Sequence, residues 1–188
     1  MKITTLLGSP RKKGNTATIV GWLEEELTKT GWDAERIFLH SKEIKGCLAC
    51  EKCKDHPDRI ACVQKDDAIG IMEKMIASDL ILYACPIYFW GFTAQLKALV
   101  DRSYSLVANY LRPGHTSLLK DKRIALLVTG GDAFENNAEG LFTAFDRIVQ
   151  FLMAQKAGEL YVGGCTAPSE LPEAVKAKTL KLARTLAG

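Results

Sequence analysis

Four cysteines within sixteen residues, Cys47-x2-Cys50-x2-Cys53-x8-Cys62, are the densest group of reactive side chains in the sequence. The two x2 spacings let three thiolates converge, and a fourth completes the ligand set of a [4Fe–4S] cubane. A zinc ion held by four cysteines usually draws on two separated C-x2-C knuckles instead. An empty thiol loop is the third reading. In a reducing compartment, cysteines crowded this way point to metal or redox chemistry over disulfides. Cys85 and Cys165 stand apart and read as buried, inert small hydrophobes. His40, His56 and His115 show no metal-ligand spacing. No side chain stands out as a general acid or base.

The second group is the run Gly8-Ser9-Pro10-Arg11-Lys12-Lys13-Gly14-Asn15-Thr16. It joins an apolar run to a stretch of helical periodicity. A helix N-terminus offers unpaired N–H groups and partial positive charge, which suit a phosphate. Ser9, Asn15 and Thr16 add short donors, Arg11 offers a forked guanidinium, and Gly14 lets the backbone approach an anion. An ordinary surface turn with an Asn or Thr cap is the plainer reading of such a loop, but its place after the first strand favours the anion. The order is neither that of a Walker loop nor G-x-G-x-x-G.

Two further loops carry ligand-like composition. Pro86, Ile87, Tyr88, Phe89, Trp90 and Gly91 put three consecutive aromatics behind a proline, a wall for a flat aromatic ligand. A core cluster or a dimer contact is the competing reading. Thr129, Gly130, Gly131 and Asp132 allow close backbone approach on another side.

Alternating elements must position these loops. Near-continuous apolar runs at 2–7, 80–85 and 123–129 read as strands buried on both faces, with weaker strands at 35–39 and 160–162. Helical periodicity covers 15–30, 66–77, 93–104, 139–155 and 170–186, with Asp66 and Asp67 opening the second helix. Five strands alternating with five helices, joined by right-handed crossovers, make a doubly wound five-stranded parallel sheet with helices on both faces. Ligands in such sheets bind at the carboxyl ends of the strands. A single domain over 1–188 is expected, with the cysteine-rich loop 40–63 inserted after strand two and 105–121 as a long excursion.

The 188 residues carry a net charge of +3, with 47% hydrophobic and 25% charged side chains. Arg11-Lys12-Lys13 is the only concentrated basic run, which suits a small anion better than a nucleic acid. No apolar run approaches the ~18 residues of a membrane span. The start lacks the core and cleavage site of a signal peptide, so a cytoplasmic location is the expectation.

G-S-P-R-x-x-G-N-T followed by P-I-Y-F-W-G-F-T-A-Q-L-K-A-L-V-D-R resembles the NADPH-dependent FMN reductase family, and specifically its iron–sulfur flavoprotein branch. The resemblance covers nearly the whole chain. It implies a flavodoxin-like fold, bound FMN, NAD(P)H as co-substrate, a small-molecule or redox-protein electron acceptor, and homodimers or dimers of dimers. By position, Ser9, Arg11, Asn15 and Thr16 would hold the FMN phosphate. Pro86 to Gly91 would line the ribityl chain and isoalloxazine, and Thr129 to Asp132 would flank the ring. The branch also carries a compact cysteine motif where Cys47, Cys50, Cys53 and Cys62 stand, usually with a shorter last gap. A flavodoxin-type electron carrier and a redox-sensing regulator are the rival readings. The positive charge and Arg11 argue against the first, and the lack of a helix-turn-helix against a DNA-binding form of the second.

Overall fold

A computed structural model describes residues 1–188, the side chain of Asp55 excepted. The chain runs β1 (Lys2–Leu7), α1 (Asn15–Lys29), β2 (Asp33–Phe38), α2 (Asp67–Ile76), β3 (Leu80–Pro86), α3 (Ala94–Arg102), β4 (Val107–Ala108), β5 (Thr116–Ser117), β6 (Arg123–Thr129), α4 (Glu139–Phe151), β7 (Gln155–Val162) and α5 (Glu173–Ala187). Five strands form one parallel sheet in the order β2-β1-β3-β6-β7. That is the flavodoxin-like order, whose direction of winding switches between β1 and β3.

Two cores follow from the period-two alternation of strand side chains. Leu80, Leu82 and Ala84 of β3, with Ala125 and Leu127 of β6, face α1 and α5. Ile81, Tyr83, Cys85, Ile124, Leu126 and Val128 point the other way, toward α2, α3 and α4. The central strands are buried on both faces, which is why their sequence reads as unbroken apolar runs.

The last strand is longer than its sequence suggests. It begins at Gln155 rather than Leu160, and α4 ends at Phe151 rather than Gln155. Met153 takes a left-handed φ of 55°, and the amide of Ala154 returns to the Val149 carbonyl, so the helix is closed there. β7 is an edge strand whose first half is polar (Gln155, Lys156, Gly158, Glu159), so it lacks the apolar signature of its neighbours. The excursion at 105–121 also holds structure, the small antiparallel pair β4–β5. The Cys-rich stretch leaves β2 as expected and, among the described residues, holds two short 3₁₀ turns, Leu39–Ser41 at its start and Lys52–Asp55. No helix is long and apolar enough to cross a membrane.

Candidate flavin cleft and cysteine cavity

The switch point between β1 and β3 opens a cleft of about 190 Å³ at the carboxyl edge of the sheet. Ser9, Arg11, Gly14, Asn15 and Thr16 come from the β1–α1 loop, and Pro86, Ile87 and Tyr88 from the end of β3. Thr129, Gly130 and Gly131 follow β6. Three loops far apart in sequence thus meet because their strands are neighbours.

Close packing sets each loop. The amide of Gly8 donates to the Ala84 carbonyl at 2.8 Å. A Cβ at Gly8 would lie 2.7 Å from Thr93 Oγ1 and 3.2 Å from Cys85 Cβ, so only glycine lets the chain turn there. The Ser9 hydroxyl accepts from the amide of Arg11 at 3.2 Å, and the amide of Gly14 donates to the Arg11 carbonyl at 3.2 Å. Thr16 and Thr129 share a buried hydroxyl–hydroxyl bond of 2.7 Å, pinning the start of α1 to the end of β6. The Ile87 amide donates to the Thr129 carbonyl at 2.8 Å, joining the second loop to the third. Tyr161 fixes the third loop from below, its hydroxyl donating to the Asp132 carbonyl at 2.8 Å.

The cleft suits an anion with a polar tail. Helix α1 begins beside it with no side-chain cap and no acidic residue in its first turn. Its leading amides and partial positive charge are therefore free for a ligand, and Arg11 stands on the same wall. Asn15 donates from Nδ2 to the Thr166 carbonyl at 3.3 Å, while its buried Oδ1 has no partner. That acceptor suits a ligand hydroxyl. These features fit a phosphate with its ribityl chain.

Four of the expected site residues lie outside these walls. Tyr88 and Gly91 bond each other's backbone in a two-residue turn, at 3.2 and 3.1 Å, and Phe89 and Trp90 form its tip. Phe89 is 95% exposed and Trp90 64% exposed, so the aromatics rim the cleft instead of filling the core. Asp132 lends its backbone to Tyr161. Conversely, Cys165 and Thr166 line the cleft from the β7–α5 loop, a wall that sequence reasoning missed. Cys165 is half-buried, not buried, and burial pushes its thiol up, opposed by the Gly130 backbone. The Gly163-Gly164 pair before it was the available signal of another backbone-close loop. Cys85, by contrast, is buried, and burial pushes its thiol up to about 12, as expected for an inert core cysteine.

The larger groove along β2, about 740 Å³, is a weaker candidate. Three of its charges are spent on one another, since Lys2 and Lys74 both pair with Glu35.

The cysteine stretch builds a second cavity. Cys47, Cys50, Cys53 and Cys62 all line one space, closed behind by Arg102, Tyr104 and Ser105. Ala49 and Glu51 take left-handed φ values of 51° and 58°, folding the chain back between successive cysteines. Lys54 clamps the loop to the body by donating to the Tyr104 and Val107 carbonyls, with its Nζ 3.5 Å from the Tyr104 ring centroid. Burial pushes the Cys53 thiol up, opposed by Lys54, and burial pulls the Lys54 ammonium down. Among the described residues no three His, Cys, Asp or Glu side chains already stand close enough to hold a metal ion. The four thiols share a cavity without being drawn to coordination distance. In number and type the four donors nonetheless suit a cysteine-ligated cluster.

Asp66 and Arg102 anchor this region. Sequence reasoning gave Asp66 only a helix start, and it does accept from the Ala68 amide at 3.1 Å. It also forms a fully buried ion pair with Arg102 at 2.6 Å, which no local pattern could reveal across 36 residues.

Residues 1–162 match the family described as NADPH-dependent FMN reductase. An iron–sulfur flavoprotein from Methanosarcina thermophila is 40% identical over 131 residues, 70% of this chain and 64% of that protein. An iron–sulfur flavoprotein from Archaeoglobus fulgidus is 34% identical over 122 residues, 65% of this chain and 51% of that protein. The chain therefore spans between half and two-thirds of the length of these relatives. An FMN-dependent NADH-azoreductase from Bacillus anthracis, solved with FMN, superposes with a TM-score of 0.72 over 100% of both chains at 13% identity, a likeness of fold.

Proposed function

The chain belongs to the NADPH-dependent FMN reductase family, and from that premise we propose that it binds FMN at the β1–β3 switch point, oxidises NAD(P)H, and passes the electrons to a small-molecule or redox-protein acceptor. The observation that carries this reading is the uncapped N-terminus of α1 standing beside Arg11 in a cleft rimmed by Tyr88, Phe89 and Trp90. Bound FMN supplies hydride acceptance from nicotinamide and electron release singly or in pairs.

The residues divide the work. Arg11 and the first amides of α1 neutralise the phosphate, with Ser9 and Thr16 beside them. Asn15 Oδ1 accepts from a ribityl hydroxyl. Ile87, Tyr88 and the Gly130–Gly131 backbone would border the ring, with the exposed Phe89–Trp90 tip of the same loop available to meet it. No residue need donate or remove a proton for hydride transfer, which depends on stacking distance and orientation.

The cysteine cavity supports a second centre, a [4Fe–4S] cluster held by Cys47, Cys50, Cys53 and Cys62, receiving electrons one at a time. The names of the relatives support this finer reading. The adjacent exposed Tyr110 and Leu111 favour a homodimer, which light scattering at defined concentrations checks.

Anaerobic purification followed by stopped-flow mixing with NADPH and NADH tests the activity. Rapid bleaching of the flavin bands is expected. A protein that is colourless and refuses added FMN defeats the flavin reading. One that binds FMN yet bleaches only with a separate reductase is a carrier instead. Iron and sulfide analysis of the same sample, with broad absorbance near ~400 nm, reports the cluster.

A further inference from the structure

The buried ion pair behind the cysteine cavity leaves one donor over. Arg102 closes α3 and is only 1% exposed. Its Nη1 donates to Asp66 Oδ2 at 2.6 Å and to the Lys45 carbonyl at 3.1 Å. Its Nη2 donates to Asp66 Oδ1 at 3.0 Å and to the Gln64 carbonyl at 3.4 Å. Nε, equally buried, has no partner. A buried donor without an acceptor bears its full desolvation penalty, heaviest on a charged group, so an orphan of this kind marks a place for an acceptor.

The acceptor's place is defined by what Arg102 borders. It lines the four-cysteine cavity. Burial opposes its charge, but Asp66 and, next, the Cys62 sulfur together hold the guanidinium above its ordinary range. Lys54, the cation next to Cys53 in the chain, spends its ammonium on two backbone carbonyls and the Tyr104 face. Arg102 Nε is thus the unpartnered buried donor of a cation that borders the four thiols.

We propose that Arg102 donates its Nε–H to a sulfur of the cluster held by Cys47, Cys50, Cys53 and Cys62, and thereby raises that cluster's reduction potential. The inference rests on the cluster reading above. Reduction adds one electron to the cluster and breaks no bond, and arginine stays protonated throughout. The added negative charge resides partly on sulfur, so an N–H···S bond stabilises the reduced form more than the oxidised one. Arg102 is then a tuning residue, acting on the cluster and not on the substrate.

Two variants separate this role from structural support. R102K keeps a cation beside Asp66 but lacks Nε. The double variant R102Q/D66N removes both buried charges together, avoiding an uncompensated carboxylate. Each is reconstituted anaerobically as the full chain, analysed for iron and sulfide, and titrated with dithionite while the reduced cluster is followed by EPR. The expected result is full loading with a lower midpoint potential, tenfold or more in the redox equilibrium, ~59 mV for one electron. Loaded variants with an unchanged potential overturn the proposal.

The wild-type protein supplies a measurement that does not depend on either variant folding. Grown with ¹⁵N-arginine, it should show a ¹⁵N hyperfine coupling in pulsed EPR of the reduced cluster. Absence of that coupling also overturns the proposal, with the cluster reading intact. A wild-type chain that takes up no iron and sulfide sinks the cluster reading instead, and the role of Arg102 with it.

Discussion

In the proposed flavin site, Arg11 is the residue on which phosphate recognition would most depend. Its guanidinium shares the cleft with the α1 N-terminus, and charge-assisted hydrogen bonds contribute about 1.5–3 kcal/mol each. Arg11→Ala should weaken FMN about 10- to 100-fold while leaving riboflavin affinity nearly unchanged, since riboflavin lacks the phosphate. Flavin fluorescence quenching with both ligands measures the ratio. Asp66 carries a pH prediction. Burial pushes its carboxyl up, but Arg102 and the amides of Lys45 and Ala68 outweigh that and hold it below the ordinary carboxylate value. A carboxyl lowered on folding stabilises fully above its unfolded value of about 4. That stabilisation is lost as pH falls through the folded value. Denaturation followed from pH 7 to 2 should show an acid limb that flattens in R102Q/D66N. Asp66→Asn alone, which strands a buried guanidinium, should cost about 3–5 kcal/mol at neutral pH.

At the scale of elements, the turn after β3 places Phe89 and Trp90 at φ of 46° and 59°. Two left-handed residues between bonded partners define a two-residue hairpin turn that ordinarily takes Asn-Gly. Each side chain held there costs about 1–3 kcal/mol. The aromatics gain no compensating burial within the chain, since both are exposed. The compensation expected is ligand contact. F89N/W90G should therefore raise the unfolding free energy by at least ~1 kcal/mol and weaken FMN severalfold. Urea unfolding without flavin and binding titration with it read the two effects separately. A variant stabilised with no loss of FMN affinity would show that the tip does not touch the ring. The turn is legible in sequence as an aromatic loop, but its left-handed geometry is not, because nothing in Tyr-Phe-Trp-Gly signals a positive φ at the two large residues.

For the molecule as a whole, the cleft joins α1, β3, β6 and the β7–α5 loop, so FMN bound there would brace both cores at once. A ligand present at 100 times its Kd adds about 2.7 kcal/mol to the stability of the native state. In a domain of this length that corresponds to a Tm rise of about 5–10 °C. Calorimetry with FMN should show that rise, and riboflavin at the same concentration should give less than half of it.

Apolar periodicity, turn residues and loop composition determined the alternating elements, the parallel sheet and three of the cleft's walls. These are local signals, and a strand buried on both faces writes them plainly. The cysteine spacing likewise announced a group of thiols, which line one cavity without closing into a ligand set. Only the tertiary structure decided what lies behind and across from those loops. Thr16 meets Thr129, Asp66 meets Arg102, and Cys165 joins the cleft through pairings between segments far apart in the chain. The first half of edge strand β7 escaped for a related reason: it carries polar residues, so its identity comes from pairing with β6. The orphan donor on Arg102 is the extreme case, since which nitrogen lacks a partner depends on every neighbour the fold supplies.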